Sequence, residues 1–416
     1  VSAPTPPAAG PRFAARFAER RAFIILIAAL ATLGPFSMDT FLPSLPDLQA
    51  SLGASRVQAQ QALAAYLLGF GLMSLWHGAI SDSIGRRPVI LAGLAAYVAS
   101  ALACMLAPSI EVLIAARLVQ GLFGGAGSIV SRAIVRDCFE GAQAQRLMSS
   151  VTLLFSVAPA LAPILGGYLQ DWFGWRGSFG FMFAGGLAIL AWTWFGLPET
   201  HPPSQRAPLH VATLAAGYLK VFTRAEFQLL AGALTCNFAT FFLYASASPA
   251  FIMEHLHLKV TDFGWFFVPV VAGMMLGAGI SGRLAGRLSH RRTAWLGFAI
   301  MGAGVAANLV LQQAYAPGLR PGLWLTVVSI LPLALSAAGQ SMTMPAIQLL
   351  MMDLYPSNRG LVASCQGFTQ VMFSAAVSGL AVPLVSDTAA HLAMACAAFY
   401  TAGLAFWMLY ARIRRR

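Results

Sequence analysis

Of 416 residues, 58% are hydrophobic and 10% charged, with a net charge of +12; a soluble domain carries roughly 25% charged residues. Continuous apolar runs of about 20 residues exclude a water-soluble globule, and without ten-residue alternation they exclude an outer-membrane barrel. The basic excess sits in short connectors rather than in a domain of its own, which excludes a nucleic-acid partner.

The chain opens on a Pro/Ala-rich stretch, 1–10, and a basic flank of Arg12, Arg16, Arg20 and Arg21. The apolar run behind it is too long for a signal core. It is expected to stay as the first membrane helix, with the N-terminus in the cytoplasm. Hydropathy predicts spans at 22–43, 57–80, 88–107, 112–134, 147–169, 177–197, 226–250, 261–282, 293–312, 322–346, 360–384 and 388–410. An even number places both termini on one side. Calling that side inside leaves Arg56, Arg176, Lys259 and Arg320 outside and nearly all other basic residues inside, as the positive-inside rule requires. Between spans six and seven lies the longest connector, 198–225, polar and Pro-rich; its part 209–222 suits an amphipathic helix at the membrane surface. The expected organisation is therefore a six-helix bundle over 1–197, a cytoplasmic linker over 198–225 and a second six-helix bundle over 226–416. Five scattered cysteines give neither a disulfide framework nor a metal pair.

Asp39 lies inside the first span, where a carboxylate costs roughly 2.5–3.5 kcal/mol on insertion scales. Away from span ends it is the one acid within an apolar run, and Arg117 in span four is the one base. At 1.5 Å rise per residue, Asp39 falls about 6 Å below the outer end of its span and Arg117 about 8 Å below the same end. An acid and a base buried at one depth are expected to interact, directly or through water.

Residues 78–87, Gly-Ala-Ile-Ser-Asp-Ser-Ile-Gly-Arg-Arg, follow span two. Gly78 and Gly85 allow a tight turn, Asp82 suits a helix N-terminus, and Arg86 and Arg87 can pair with acids. Such a cluster can latch one half of the molecule to the other. A degenerate copy begins at Gly282, 204 positions on, with Gly286 in place of Asp82. A parallel repeat of six spans is the mark of a transporter that rocks around a midplane site. Span five carries Pro159, Pro163, Gly166 and Gly167, which kink a helix and let it pack closely, and is read as a gating helix.

These motifs together resemble the major facilitator superfamily. Residues 78–87 are similar to its signature loop, and Arg117-Leu118-Val119-Gln120-Gly121 resembles the Arg-x-x-Gln-Gly motif of its proton-coupled drug exporters. Ala162-Pro163-Ile164-Leu165-Gly166-Gly167 resembles the motif associated with antiport. The run from Asp39 to Pro46, with Trp175-Arg176 and Leu197-Pro198-Glu199-Thr200, is similar to the Bcr/CflA branch of bicyclomycin and chloramphenicol exporters. Ser83, Ala162 and Trp76-His77 depart from the usual pattern. The resemblance implies an all-α fold of twelve transmembrane helices in two bundles. It implies efflux of small amphipathic drugs in exchange for protons, with Asp39 and Arg117 as the coupling pair. The implied setting is the bacterial inner membrane, and no cofactor or metal is called for; a single chain is expected to suffice.

Phe36, Tyr66, Phe155, Asn237, Phe241, Tyr244, Gln340 and Gln370 are the candidates for lining a drug-sized cavity, being aromatic or amide side chains within spans. The same fold could instead export a sugar, an amino acid or another metabolite. An intramembrane enzyme is disfavoured: there is no HExxH, no paired intramembrane aspartate and no Ser/His dyad at one depth. Residues 121–127 are glycine-rich, yet mid-span and without Lys-Ser/Thr, so they read as helix packing rather than a phosphate loop. Glu254-His255-Leu256-His257 reads as a solvated outer loop rather than a metal site.

Overall fold

A computed structural model describes residues 21–139, 141–314, 322–356 and 358–413, leaving aside the side chains at 21, 142, 146, 149–156 and 323. The N-terminal stretch 1–20, Arg320, Arg414, Arg415 and Arg416 lie outside the described residues, and the side chains of Arg146 and Phe155 are among those left aside. The long elements are all α-helices, because in lipid each backbone polar group must be satisfied within its own segment. In chain order they are α1 (Arg21–Asp39), α2 (Leu45–Leu52), α3 (Arg56–Ser74), α4 (His77–Ile84), α5 (Arg86–Met105), α6 (Ile110–Cys138), α7 (Gly141–Phe173) and α8 (Trp175–Gly196). The amphipathic α9 (Val211–Phe222) sits in the central connector. Then come α10 (Ala225–Ser246), α11 (Gly264–Leu284), α12 (His290–Ala314), α13 (Leu323–Met352), α14 (Arg359–Ala376), α15 (Val382–Val385) and α16 (Ala389–Ile413).

Among the described residues ten helices are long and apolar enough to cross a membrane, and the pair α3–α4, bent by 47°, makes an eleventh. The 33-residue α7, with Pro159 and Pro163 inside it, holds the remaining place in the order. Several expected boundaries shift, and two of them bear on the site. The span predicted at 57–80 is broken at Leu75 and Trp76, and α6 runs on to Cys138 rather than stopping at 134. The 29 residues of α6 reach about 44 Å at 1.5 Å each, well past a hydrocarbon core of about 30 Å. Arg132, Arg136 and Asp137 therefore ride on helix rather than in a connector.

The two bundles repeat one packing device. At Gly69 on α3 an added Cβ would strike the Leu118 carbonyl of α6, and at Gly273 on α11 it would strike the Ala334 carbonyl of α13. The two glycines are 204 positions apart, the spacing of the repeated loops. At both crossings only hydrogen at Cα lets the backbones meet.

At one end, the one expected to face outside, the bundles touch directly. Arg56 pairs with Glu254 at 2.8 Å, and Gln60 donates to the Ser246 carbonyl at 3.1 Å. Gly167 of α7 packs on the Val260 backbone. The Ser246 and Ser378 hydroxyls lie 3.0 Å apart and both within reach of Oε1 of Gln60, at 3.2 and 3.1 Å, with one proton each to donate among these contacts. Ser378 lies in a π-helical turn, Val377–Ala381, and a second such turn, Ala250–His255, follows Ser246. At the opposite end the connector bridges the bundles. The Tyr218 hydroxyl donates to the Leu75 carbonyl at 2.7 Å, and the Tyr355 hydroxyl donates to the Lys220 carbonyl at 3.1 Å.

Candidate functional site

Arg117 is fully buried and Asp39 nearly so. The guanidinium donates to the Ser37 carbonyl at 3.2 Å and to Oε1 of Gln120, one turn along α6, at 2.7 Å. Three rings enclose it, with its central carbon 4.4 Å from the Tyr66 ring centre, 5.0 Å from Phe41 and 5.8 Å from Phe179. Desolvated cation–ring contacts stabilise a buried guanidinium by about 2 kcal/mol or more. Its Nε and second Nη have no hydrogen-bond partner, and neither has Oδ2 of Asp39.

Of the two expected forms of interaction, direct or through water, the direct contact is absent from this conformation: among the described residues Asp39 makes no ion pair, and Arg117 is held by neutral acceptors and rings. The physical reason is the end of α1. The helix stops at Asp39, and the carbonyl that Arg117 reaches belongs to Ser37, two residues earlier. Tyr66 is engaged as well. Its hydroxyl donates to the Gly34 carbonyl at 3.0 Å and its ring faces Arg117, so in this conformation it forms part of the cage.

The signature loop forms a second cluster. Arg86 is buried, pairs with Asp82, and bonds Asp137 at 2.9 Å and the Ser81 hydroxyl at 2.7 Å. The Glu199 carboxylate accepts from the backbone N–H of Arg86 at 3.0 Å and of Arg87 at 3.3 Å, capping the start of α5 where four N–H groups lack helical partners. Gly85 has φ +109°, and a Cβ there would meet the same carboxylate. Arg87 donates to the Trp194 carbonyl at 2.8 Å. The loop was expected to latch one half to the other. Among the described residues, its ion pairs stay within the first bundle, and its tie to the connector runs through Glu199 and through Ala207, whose N–H reaches the Asp82 carbonyl.

On α7, Gly166 meets the Thr40 carbonyl and Gly167 the Val260 carbonyl, so the helix touches its own bundle and the opposite one at adjacent residues. The Glu254–His257 stretch is engaged: Glu254 with Arg56, and the His255 ring with the Ser386 carbonyl at 3.0 Å.

The candidate cavity residues do not share one wall. Phe241, Tyr244 and Gln340 line a small recess between α10, α11 and α13, together with Thr240 and Ser336. Oε1 of Gln340 has no partner there, while the Tyr244 hydroxyl accepts from Asn308 at 2.9 Å. Asn237 is buried with both amide atoms unpartnered. Gln370 accepts from Gln366 at 2.7 Å. Phe36 lines a different recess, between α1, α5 and α8. Phe155 belongs to α7, its side chain outside those described.

Sequence reasoning missed Gln120, Asp137 and Glu199. Gln120 carried a signal, the three-residue spacing that places it beside Arg117 on one helix face. Glu199 sat in a quoted motif without a role, and Asp137 lay beyond the expected end of its span.

The sequence matches the family described as Major Facilitator Superfamily over residues 25–381. It is 29% identical over 379 residues to the "Bicyclomycin resistance protein homolog" of Haemophilus influenzae, covering 89% of this chain and 91% of that one. It is 28% identical to the "Chloramphenicol resistance protein" of Pseudomonas aeruginosa, with 75% of each covered. Among solved structures, a D-xylose-proton symporter superposes with a TM-score of 0.71 at 13% identity, covering 94% of this chain and 96% of that one, a likeness of fold alone.

Proposed function

The chain belongs to the Major Facilitator Superfamily, a multi-pass membrane transporter of small molecules rather than an enzyme, and on that premise we propose that it exports small amphipathic drugs in exchange for protons. The setting is a bacterial cytoplasmic membrane, with both termini on the cytoplasmic side. Relatives named for bicyclomycin and chloramphenicol resistance support a drug as cargo.

One observation carries the coupling. The buried base bonds the backbone two residues before the buried acid, and both keep polar atoms without a hydrogen-bond partner. In a site shut off from water, burial favours the neutral acid and a nearby cation favours the carboxylate. Movement of the Arg117 guanidinium from the Ser37 carbonyl onto Asp39 releases a proton, and its return to the ring cage lets Asp39 take one up. Drug binding biases that choice by excluding water or rearranging α1. The two bundles rock about this centre, with the outer contacts of Arg56, Gln60 and Gly167 breaking as the inner ends close. The connector, residues 198–225, follows the first bundle through Glu199 and the second through Tyr355.

Susceptibility testing tests the cargo. A strain overexpressing the chain should tolerate one or more chemically distinct amphipathic antibiotics better than one expressing Asp39→Asn. Equal susceptibility to every class tried would reject drug export and leave a metabolite as cargo.

A further inference from the structure

The recess that takes Phe36 is lined by the first bundle alone. Its walls are α1, α5 and α8, with Phe36, Tyr97, Phe181, Met182 and Gly185 facing in. Gly185 stands halfway along α8, which puts the recess near mid-membrane. From Phe181 to Phe195 every exposed side chain of α8 is apolar, including Leu187, Trp192 and Trp194, so this face meets lipid. The recess therefore opens sideways into the bilayer.

Its volume is about 180 Å³, close to that of an engineered apolar cavity of about 150 Å³ that holds one benzene. That is room for a single ring and too little for a full acyl chain. No charged side chain lines it. Its inner end is polar: the Ser37 hydroxyl bonds the Tyr97 hydroxyl, and the Ser37 carbonyl is the one that holds Arg117. A Cβ built at Gly185 meets nothing within 4 Å, so its missing side chain leaves this wall open rather than serving a helix contact.

We propose that this recess binds one ring of a small uncharged amphiphile dissolved in the bilayer, its hydroxyl directed to the Ser37–Tyr97 pair. An occupant there touches the segment of α1 that holds Arg117, and so acts on the coupling centre from the lipid side.

The test is photolabelling of the full-length protein in lipid nanodiscs with a benzyl alcohol carrying a trifluoromethyl diazirine on its ring. Wild type should show saturable labelling in peptides containing Phe36 or Met182, displaced by excess unlabelled benzyl alcohol. Gly185→Phe, which fills the recess, should cut that labelling about tenfold, equivalent to 1.4 kcal/mol of binding, while Gly185→Ala keeps it. A phosphatidylcholine with a diazirine in its acyl chain should mark the outer face of α8 equally in all three proteins. Non-saturable labelling of the wild type overturns the proposal, whatever the variants do. Undiminished labelling in a folded Gly185→Phe, or stronger labelling of the recess by the acyl-chain probe, also overturns it. The readout needs no transport, so it stands or falls apart from the drug–proton reading.

Discussion

Arg117 donates to the backbone carbonyl of Ser37 at 3.2 Å, placing a buried guanidinium two residues along the chain from the buried carboxylate of Asp39. The contact is to a neutral acceptor, so the cation is held without committing the acid to its charged form. Tyr66 closes the cage from α3 at 4.4 Å. The surroundings of Arg117 thus join four helices, α1, α3, α6 and α8.

Arg117→Lys is expected to fail as a substitute. A lysine ammonium is compact and strongly hydrated, and cannot stack on Tyr66 while bonding both Ser37 and Gln120. Drug-dependent proton flux in inverted vesicles should fall at least tenfold, close to the level of Arg117→Ala. Flux near wild type in the lysine variant would show that charge alone is enough and that the cage is incidental.

Gly85→Ala should destabilise the signature loop by about 1–3 kcal/mol, the range for residues forced into sparsely populated backbone conformations, and the added methyl also crowds Glu199. Glu199→Gln should lower thermal stability less, because the amide still accepts one N–H bond. Asp82→Asn should leave the protein inserted but slow transport, since Arg86 loses one of its two carboxylate partners. Melting curves in detergent and transport rates in proteoliposomes check the three together. Equal stability of Gly85→Ala and wild type would remove the strain argument.

The outer seal should respond to Gln60→Leu. The change leaves Ser246 and Ser378 without their shared acceptor, at a cost of about 1–3 kcal/mol for buried groups left unpaired. A cysteine at position 378 should then react faster with a membrane-impermeant maleimide added from outside. An unchanged rate would show that the seal rests on Arg56–Glu254 and backbone packing instead.

What was legible in the sequence follows from physics that acts locally. A charge in an apolar run is visible without coordinates, and so Asp39 and Arg117 stood out. Span order was legible too, because hydropathy is a one-dimensional property. The cage was not. Tyr66 faces Arg117 only because Gly69 and Gly121 let α3 and α6 cross with backbones in contact, a relation between distant segments. Asp137 escaped because the hydropathy pass expected α6 to end four residues early. The aromatic and amide candidates scattered for a related reason. Their residue types suit a cavity, but which face of a helix they occupy depends on crossings that composition does not report.

Topology has its own check. Protease should cut the connector between residues 198 and 224 in inside-out vesicles and leave it intact in right-side-out ones. The reverse pattern would invert the assignment of inner and outer ends, and with it the reading of the Gln60 seal.

The central claim is that Asp39 carries the exchanged proton. It is tested most directly by adding a transported drug to purified protein in unbuffered detergent solution and recording the pH. Wild type should release protons as drug binds. Asp39→Asn, fixed in a neutral form, should release none while still binding drug in an equilibrium assay. Proton release from Asp39→Asn equal to that of wild type would contradict the account and place the proton site elsewhere in the chain.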